Sequence, residues 1–268
     1  MIELYHHGSS VCAAKVRLVL AEKGLEWEGH YLDILRGDQF DPDYVKLNPK
    51  AVVPTLVHDG AVICESTVIS EYLESVFPDP PLTPKDPVER AHMLYWTKGV
   101  DEDLHPACGA LTFVASHRHT VLRLGPEGVN EFLESTPAFS VTADWHEDKK
   151  TYIRQGFDAP GAAEKVILYD RYLDKMEDAL AGGEWLVGNQ FSLADTSLIP
   201  YLNRLDKMSM AGLWEGRRPR LGDWWERVQA RPSFKPAILD WVPDDLADDL
   251  KTFGAQSWPD MQRILGIG

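Results

Sequence analysis

Apolar residues after Ser66 fall at Val68, Ile69, Tyr72, Leu73, Val76 and Phe77, the spacing of one face of a helix. Just upstream the period changes. Thr55-Leu56-Val57 and Ala61-Val62-Ile63-Cys64 flank His58-Asp59-Gly60, and the Asp-Gly pair between short apolar runs predicts a hairpin. Working back, Pro42–Leu47 predicts a short helix and Glu28–Asp33 a strand. Val11–Lys23 predicts a helix stopped by Gly24, and Met1–His6 a first strand. The order is βαβαββα. The proline-dense run Pro78-Asp79-Pro80-Pro81-Leu82-Thr83-Pro84 cannot continue a helix and marks a boundary.

Beyond Pro87 the pattern turns helical, with helices predicted over Val88–His105, Ala162–Ala181 and Leu193–Met208. Ser192-Leu193-Ala194-Asp195 starts the last of these as a capping box, a stability element with no chemistry of its own. Between Thr120 and Gly161 only Glu127–Glu134 has helical spacing, and Asp144–Lys150 is a charged run. An irregular stretch of that length is expected to be functional or mobile, or a solvated excursion. The acidic tail from Val242, with Asp244, Asp245, Asp248 and Asp249, reads as a solvated helix start or as a segment folded across a cleft mouth. The expected organisation is residues 1–79 as an α/β domain, 80–87 as a linker and 88–268 as an all-α domain.

Composition narrows the partners. The 268 residues are 44% hydrophobic and 26% charged, ordinary values for a globular protein, and nine tryptophans promise large aromatic packing. A formal charge of −15 disfavours nucleic acid and anionic membrane surfaces. With no signal-like apolar run, a cytoplasmic location is expected. Cys12, Cys64 and Cys108 have neither metal-ligand spacing nor a paired framework and read as reduced thiols, so no metal is expected.

Two helix starts carry candidate chemistry. Glu65-Ser66 lands at the N-terminus of the helix after the hairpin. Open N–H groups there suit a carboxylate, while Glu65 suits a cation, the pairing an amino-acid head group needs. The loop His6-His7-Gly8-Ser9-Ser10-Val11-Cys12 opens the first helix. A thiolate held there meets the positive end of the dipole, and a hydroxyl nearby stabilises it further. Free thiols titrate near ~8.5, so a shift of about two units gives mostly thiolate at neutral pH.

Val53-Pro54 followed by Glu65-Ser66 is similar to the glutathione signature of the glutathione transferases, and the resemblance covers nearly the whole chain. It implies a thioredoxin-like N-terminal domain, an all-α second-substrate domain, an active-site cleft between them, glutathione as cofactor and a homodimer. By position, Ser10 matches the serine that activates glutathione in zeta-like and theta-like members. Ser9, Cys12 and Tyr5 are the alternatives. Val53, before a proline expected to be cis, would offer its main chain to the cysteinyl residue; Glu65 and Ser66 would take the γ-glutamyl group. Gln39 and Lys50 would serve the glycyl end. Val52 departs from the lysine or glutamine that many members carry, and Asp101 sits where family dimers lend a carboxylate across the interface. His6 and His7 are expected at the surface or lining the second-substrate site.

The runs Glu65–Pro78 and Arg90–Glu102 look like those of the bacterial β-etherases of lignin metabolism. Such enzymes use glutathione to displace an aryloxide from the carbon beside a ketone. Trp96, Phe113, His117 and Trp145 would line an aromatic second site. The Ser9-Ser10-Val11-Cys12 loop departs from that group. A general or zeta/theta-like transferase or isomerase acting on halogenated or dienoic substrates therefore stands as the alternative. A non-catalytic glutathione or hydrophobic-ligand carrier is the second alternative.

Overall fold

The computed structural model describes residues 1–135 and 143–268, with side chains at all of these except 135 and 143–146. The N-terminal part holds β1 (Ile2–His6), α1 (Val11–Glu22), β2 (Glu28–Tyr31), α2 (Pro42–Leu47), β3 (Thr55–His58), β4 (Ala61–Cys64) and α3 (Ser66–Val76). The strands form one sheet in the order β2-β1-β3-β4. β1 runs parallel to β2 and antiparallel to β3, with Leu4 opposite both Gly29 and Leu56. α1 and α3 cover one face, burying Val16, Leu20, Ile69 and Leu73 against Leu4 and Leu56. Asp59-Gly60 closes the hairpin with both residues at positive φ, as a tight two-residue turn requires.

The helices that follow are α4 (Pro87–Gly99), α5 (His105–Thr112), α6 (Arg118–Leu122), α7 (Gly125–Ser135), α8 (Ala143–Gln155), α9 (Ala162–Ala179), α10 (Leu193–Lys207), α11 (Pro219–Gln229), α12 (Phe234–Ile238) and α13 (Asp244–Leu265). Their starts are chemically marked. Asp86 accepts from the N–H groups of Val88 and Glu89, with Pro87 at the first helical position. Ser192 accepts from Ala194 at 3.2 Å, and the Asp195 carboxylate accepts from the Ser192 N–H at 3.0 Å, closing the predicted capping box. Asp195 also takes the Trp224 indole N–H at 2.9 Å and the Leu186 N–H at 3.1 Å, which ties α10 to its surroundings.

Two expectations change. The helix predicted over Val88–His105 does not stop there: wide π-type turns at Val100–Leu104 and Phe113–His117 join α4, α5 and α6 into one continuous helical run. Wide turns of this kind are frequent at functional sites. The stretch from Thr120 to Gly161 is not irregular, since α7 and α8 fill most of it. A small satellite core of Val121 from α6, Val129 and Leu133 from α7 and Ile153 from α8 joins them, and Tyr152 of α8 is buried in the main core. The helical spacing of Glu127–Glu134 falls inside α7, whereas the charged run Asp144–Lys150 masks the period of α8. The tail begins a helix at Asp244 with Asp244, Asp245 and Asp248 exposed, in line with a solvated helix start, and its other face packs inward. α13 lies along the Phe113–His117 turn, and Asp249 of α13 pairs with Arg123 and accepts from Thr120 at 2.7 Å.

Candidate active site

The β1–α1 loop is clasped from two sides by buried arginines. Arg17, one turn and a half into α1, donates to the carbonyls of His7 and Gly8, each at 3.2 Å, and to Ala237 of α12 at 2.8 Å. Arg204 of α10 donates to the Ser9 carbonyl from the helical half. Beneath the loop, Trp241 packs edge-on against His6 at 4.6 Å, and Arg17 lies over the same indole at 5.5 Å. Gly8 is required here, because a Cβ would stand 1.9 Å from the Trp241 carbonyl oxygen. His6 and His7 are each only 1% exposed, which corrects their expected surface position. Burial and the neighbouring Arg17 charge push His6 down to about 3, and burial pushes His7 down to about 4. Both are neutral structural rings.

Fixing the loop in this way presents the first turn of α1 to a cleft of about 570 Å³. Ser10 is the N-cap, its Oγ accepting from the Ala13 N–H at 3.2 Å, and it lines the cleft half-buried. Ser9 also reaches the cleft, but its hydroxyl lies 3.2 Å from His7 Nδ1. Tyr5 points elsewhere, stacked on His30 at 4.4 Å. Cys12 is half-buried in the cleft wall, its Sγ 3.6 Å from His105 Nδ1. Burial works against its thiolate, but the His105 charge and hydrogen bond, Lys15 and the Ser66 hydroxyl outweigh it and bring the thiol down to about 7. The thiolate in turn raises His105.

The opposite wall comes from β3 and α3. The Val53–Pro54 peptide is cis. Tyr44 and Asn48 both donate to the Val52 carbonyl, at 2.6 and 2.9 Å, and their contacts with Thr55 Oγ1 at 2.8 and 3.1 Å pin the loop on its far side. Glu65 caps α3 at φ 70°, a left-handed conformation that costs a non-glycine residue roughly 1–3 kcal/mol and is typical of functional sites. It turns the chain so that Ser66 and the open first turn of α3 face the cleft. Lys50 pairs with Glu65 at 2.6 Å at the rim and does not line the cleft. Gln39 closes the far side, its Nε2 donating to the Ile34 carbonyl at 3.3 Å while its buried Oε1 has no partner. Asp101 is engaged within its own chain, accepting from buried Lys15 at 3.1 Å and from Thr67 at 2.9 Å.

Above these groups stand Phe113 and His117 from the second wide turn, both on the cleft as expected. Trp96 is not there. It is buried on the other side of α4, bordering a separate groove with Leu186 and Val187. The side chain of Trp145 lies outside the described residues. Sequence reasoning missed Phe132 of α7, Lys149 of α8, His105 and Arg204, all on the cleft. Only the spacing of Phe132 and Leu133 in the Glu127–Glu134 run hinted at any of them.

A mixed four-stranded sheet with α1 and α3, a helical second half and a cleft between them carrying a cis proline and a strained acidic cap define a glutathione transferase. The chain belongs to that family. Residues 9–76 match the glutathione S-transferase N-terminal domain and residues 159–227 the C-terminal domain. It is similar to Protein LigF of Sphingobium sp. strain SYK-6, with 31% identity over 91% of this chain and 96% of that one. The crystal structure of the β-etherase LigF from the same strain superposes with a TM-score of 0.77 at 30% identity, covering 88% of this chain and 98% of the other. A tetrachloro-p-hydroquinone reductive dehalogenase of Sphingobium chlorophenolicum is 30% identical over 88% of this chain and 95% of that protein. Members of the family use glutathione as co-substrate. Among the described residues no helix is long and apolar enough to cross a membrane.

Proposed function

We propose that the protein activates the thiol of glutathione at the first turn of α1 and directs it at an aromatic electrophile, cleaving β-aryl ethers beside a ketone. The observation that carries this reading is the convergence of Ser10, Val53, Glu65 and Ser66 on one cleft, at two open helix N-termini. Glu65 and the first turn of α3 would take the ammonium and carboxylate of the γ-glutamyl group, and the Val53 main chain the cysteinyl residue. The Gln39 amide would serve the glycyl end. Lys50, held at the rim by Glu65, would add positive charge for a carboxylate of the tripeptide. With the sulfur at the α1 N-terminus, the Ser10 hydroxyl donates to it and the dipole favours the anion. The thiolate then forms a C–S bond at the carbon beside the ketone as the aryloxide departs with the electron pair of the broken C–O bond. Similarity to the β-etherase LigF supports that substrate class.

A second reading, attack or disulfide exchange through Cys12, is favoured by its contact with His105. The two separate cleanly. Glutathione-dependent phenol release from a fluorogenic β-aryl ether ketone is expected, lost by about 10²-fold in Ser10→Ala and retained in Cys12→Ser. The reverse pattern would favour the second reading. No release alongside turnover of a chlorinated aromatic or a dienoic acid would move the substrate class. A homodimer in the cytoplasm belongs to the same proposal. The outward face of α4, with Val88 62% and Tyr95 69% exposed, is the apolar surface available for it, and light scattering tests the mass.

A further inference from the structure

One end of the cleft carries donors that the glutathione scheme leaves without a ligand. Phe113, His117, Phe132, Lys149 and Arg204 border it together, drawn from the second wide turn, α7, α8 and α10. Three of the five bring N–H donors or positive charge into surroundings that are otherwise apolar. His117 is 9% exposed and its Nδ1 has no partner; Arg204 is 7% exposed, and while Nη2 donates to the Ser9 carbonyl, Nη1 has none. The Lys149 ammonium sits over two aromatic faces, 4.5 Å from the Phe132 ring centroid and 5.4 Å from that of Phe113.

No carboxylate among the described residues pairs with any of these three groups. Glu134 of α7 and Glu147 of α8 are both taken by Lys150, and Asp148, next to Lys149 in the chain, is exposed and makes no ion pair among the described residues. The groups feel one another: burial, then chiefly the Arg204 charge and also that of Lys149, press His117 down to about 3, and burial brings Lys149 down to about 8. A desolvated cation costs several kcal/mol unless it is paired. A cation–π contact returns ~0.5–2 kcal/mol, so the rings alone do not account for the arrangement. What balances it chemically is a negative charge arriving with a ligand. The aromatic walls select the rest of that ligand.

We propose that Lys149, His117 and Arg204 form a subsite for a carboxylate of the second substrate, so that the enzyme prefers aromatic electrophiles bearing an acid group. This rests on the transferase reading above for the identity of the ligand as a substrate. The ring would lie between Phe113 and Phe132, and the carboxylate would accept from the Lys149 ammonium and the free Arg204 N–H. Neutral His117 would donate through its open nitrogen in the matching tautomer. A neutral analogue leaves these donors unpaired, the situation in which polar sites discriminate most strongly.

The test compares 4-chloro-3-nitrobenzoate with its neutral counterpart 4-chloro-3-nitrobenzamide. Glutathione sulfur bonds to the ring carbon, chloride leaves with the C–Cl electron pair and the thiol proton goes to buffer. The acid is expected to show at least about tenfold higher kcat/KM than the amide. Lys149→Met should lower the acid by about tenfold, leave the amide within about twofold, and be partly rescued by Lys149→Arg. Lys149 is chosen because its ammonium makes no hydrogen bond among the described residues, whereas Arg204 holds the Ser9 loop. Equal rates for the two substrates, or equal losses in the variant, would overturn the subsite. Calorimetric titration with unreactive 3-nitrobenzoate and 3-nitrobenzamide needs no turnover and so separates the two proposals. Lys149-dependent preference for the acid without any conjugation would uphold the subsite and sink the transferase reading. Conjugation of both substrates without that preference would do the opposite.

Discussion

The two walls of the cleft are built in different ways. The wall carrying Ser10, Val53, Glu65 and Ser66 hangs on backbone geometry: a helix N-cap, a cis peptide and a left-handed residue, braced by buried Arg17, Tyr44 and Asn48 against the main core. The wall carrying Phe132 and Lys149 belongs to α7 and α8, which pack through the small cluster of Val121, Val129, Leu133 and Ile153, with Tyr152 of α8 reaching the main core. The first wall presents main-chain donors whose positions a side-chain change barely moves. The second presents side chains, Phe132 on a helix held by the satellite core and Lys149 on a helix that also reaches the main core. A binding site for one invariant co-substrate suits the first construction, and a site whose partner differs between relatives suits the second.

The sharpest way to break the first wall is Gly8→Ala. The added methyl meets the Trp241 carbonyl, a backbone atom with no freedom to withdraw, so a loss of about 3 kcal/mol or more is expected in urea denaturation, with activity falling in step. Wild-type stability in that variant would show that the C-terminal segment does not brace the loop.

Next in size is a matched pair of core truncations. Leu56→Ala and Ile153→Ala both remove fully buried side chains and are each expected to cost about 2–4 kcal/mol locally. Leu56→Ala should lower the global midpoint. Ile153→Ala should instead raise amide exchange in α7 and α8 while the sheet stays protected. Identical exchange patterns would erase the distinction between the walls.

Smaller still is the acid response of the β1–α1 region. His6 and His7 titrate lower in the folded chain than the ordinary 6.5, so the unfolded chain binds more protons between those values. Their contribution is intact above pH 6.5 and is lost as pH falls toward about 4 or 3, at up to about 1.4 kcal/mol per pH unit for each ring. His6→Gln should flatten that slope, measured as unfolding free energy at pH 6.5 and 5. An unchanged slope would mean the ring is protonated in place. The mildest test concerns Cys12. Its alkylation by iodoacetamide should follow a midpoint near 7, moved upward in His105→Gln, because the imidazole is the main group favouring the thiolate.

The contrast also explains what the sequence reveals. Val53-Pro54, Asp59-Gly60, Glu65-Ser66 and the Ser192–Asp195 box are local devices, each readable within a few residues because its backbone conformation demands particular residue types. The β/α half and the edges of α1, α2, α3 and α10 follow from them. Arg17, Arg204 and Trp241 act across long separations, and nothing local distinguishes a buried arginine from an exposed one. His6 and His7 were expected near the surface because strand ends are often exposed, but the C-terminal segment covers them. Lys149 sits in a charged run that reads as a solvated face until α7 brings Phe132 beneath it. Trp96 was placed in the site by residue type alone, and its helix turns it the other way.

The central claim is that the first turn of α1 activates the glutathione thiol through Ser10. Ultraviolet titration of thiolate absorbance, taken as the difference with and without glutathione in a Cys12→Ala background, tests it most directly. Bound glutathione should ionise about two pH units below the ~8.5 of a free thiol, and return most of the way in the additional Ser10→Ala change. A depressed value that survives the loss of Ser10, or a bound thiol that titrates like a free one, would contradict the account.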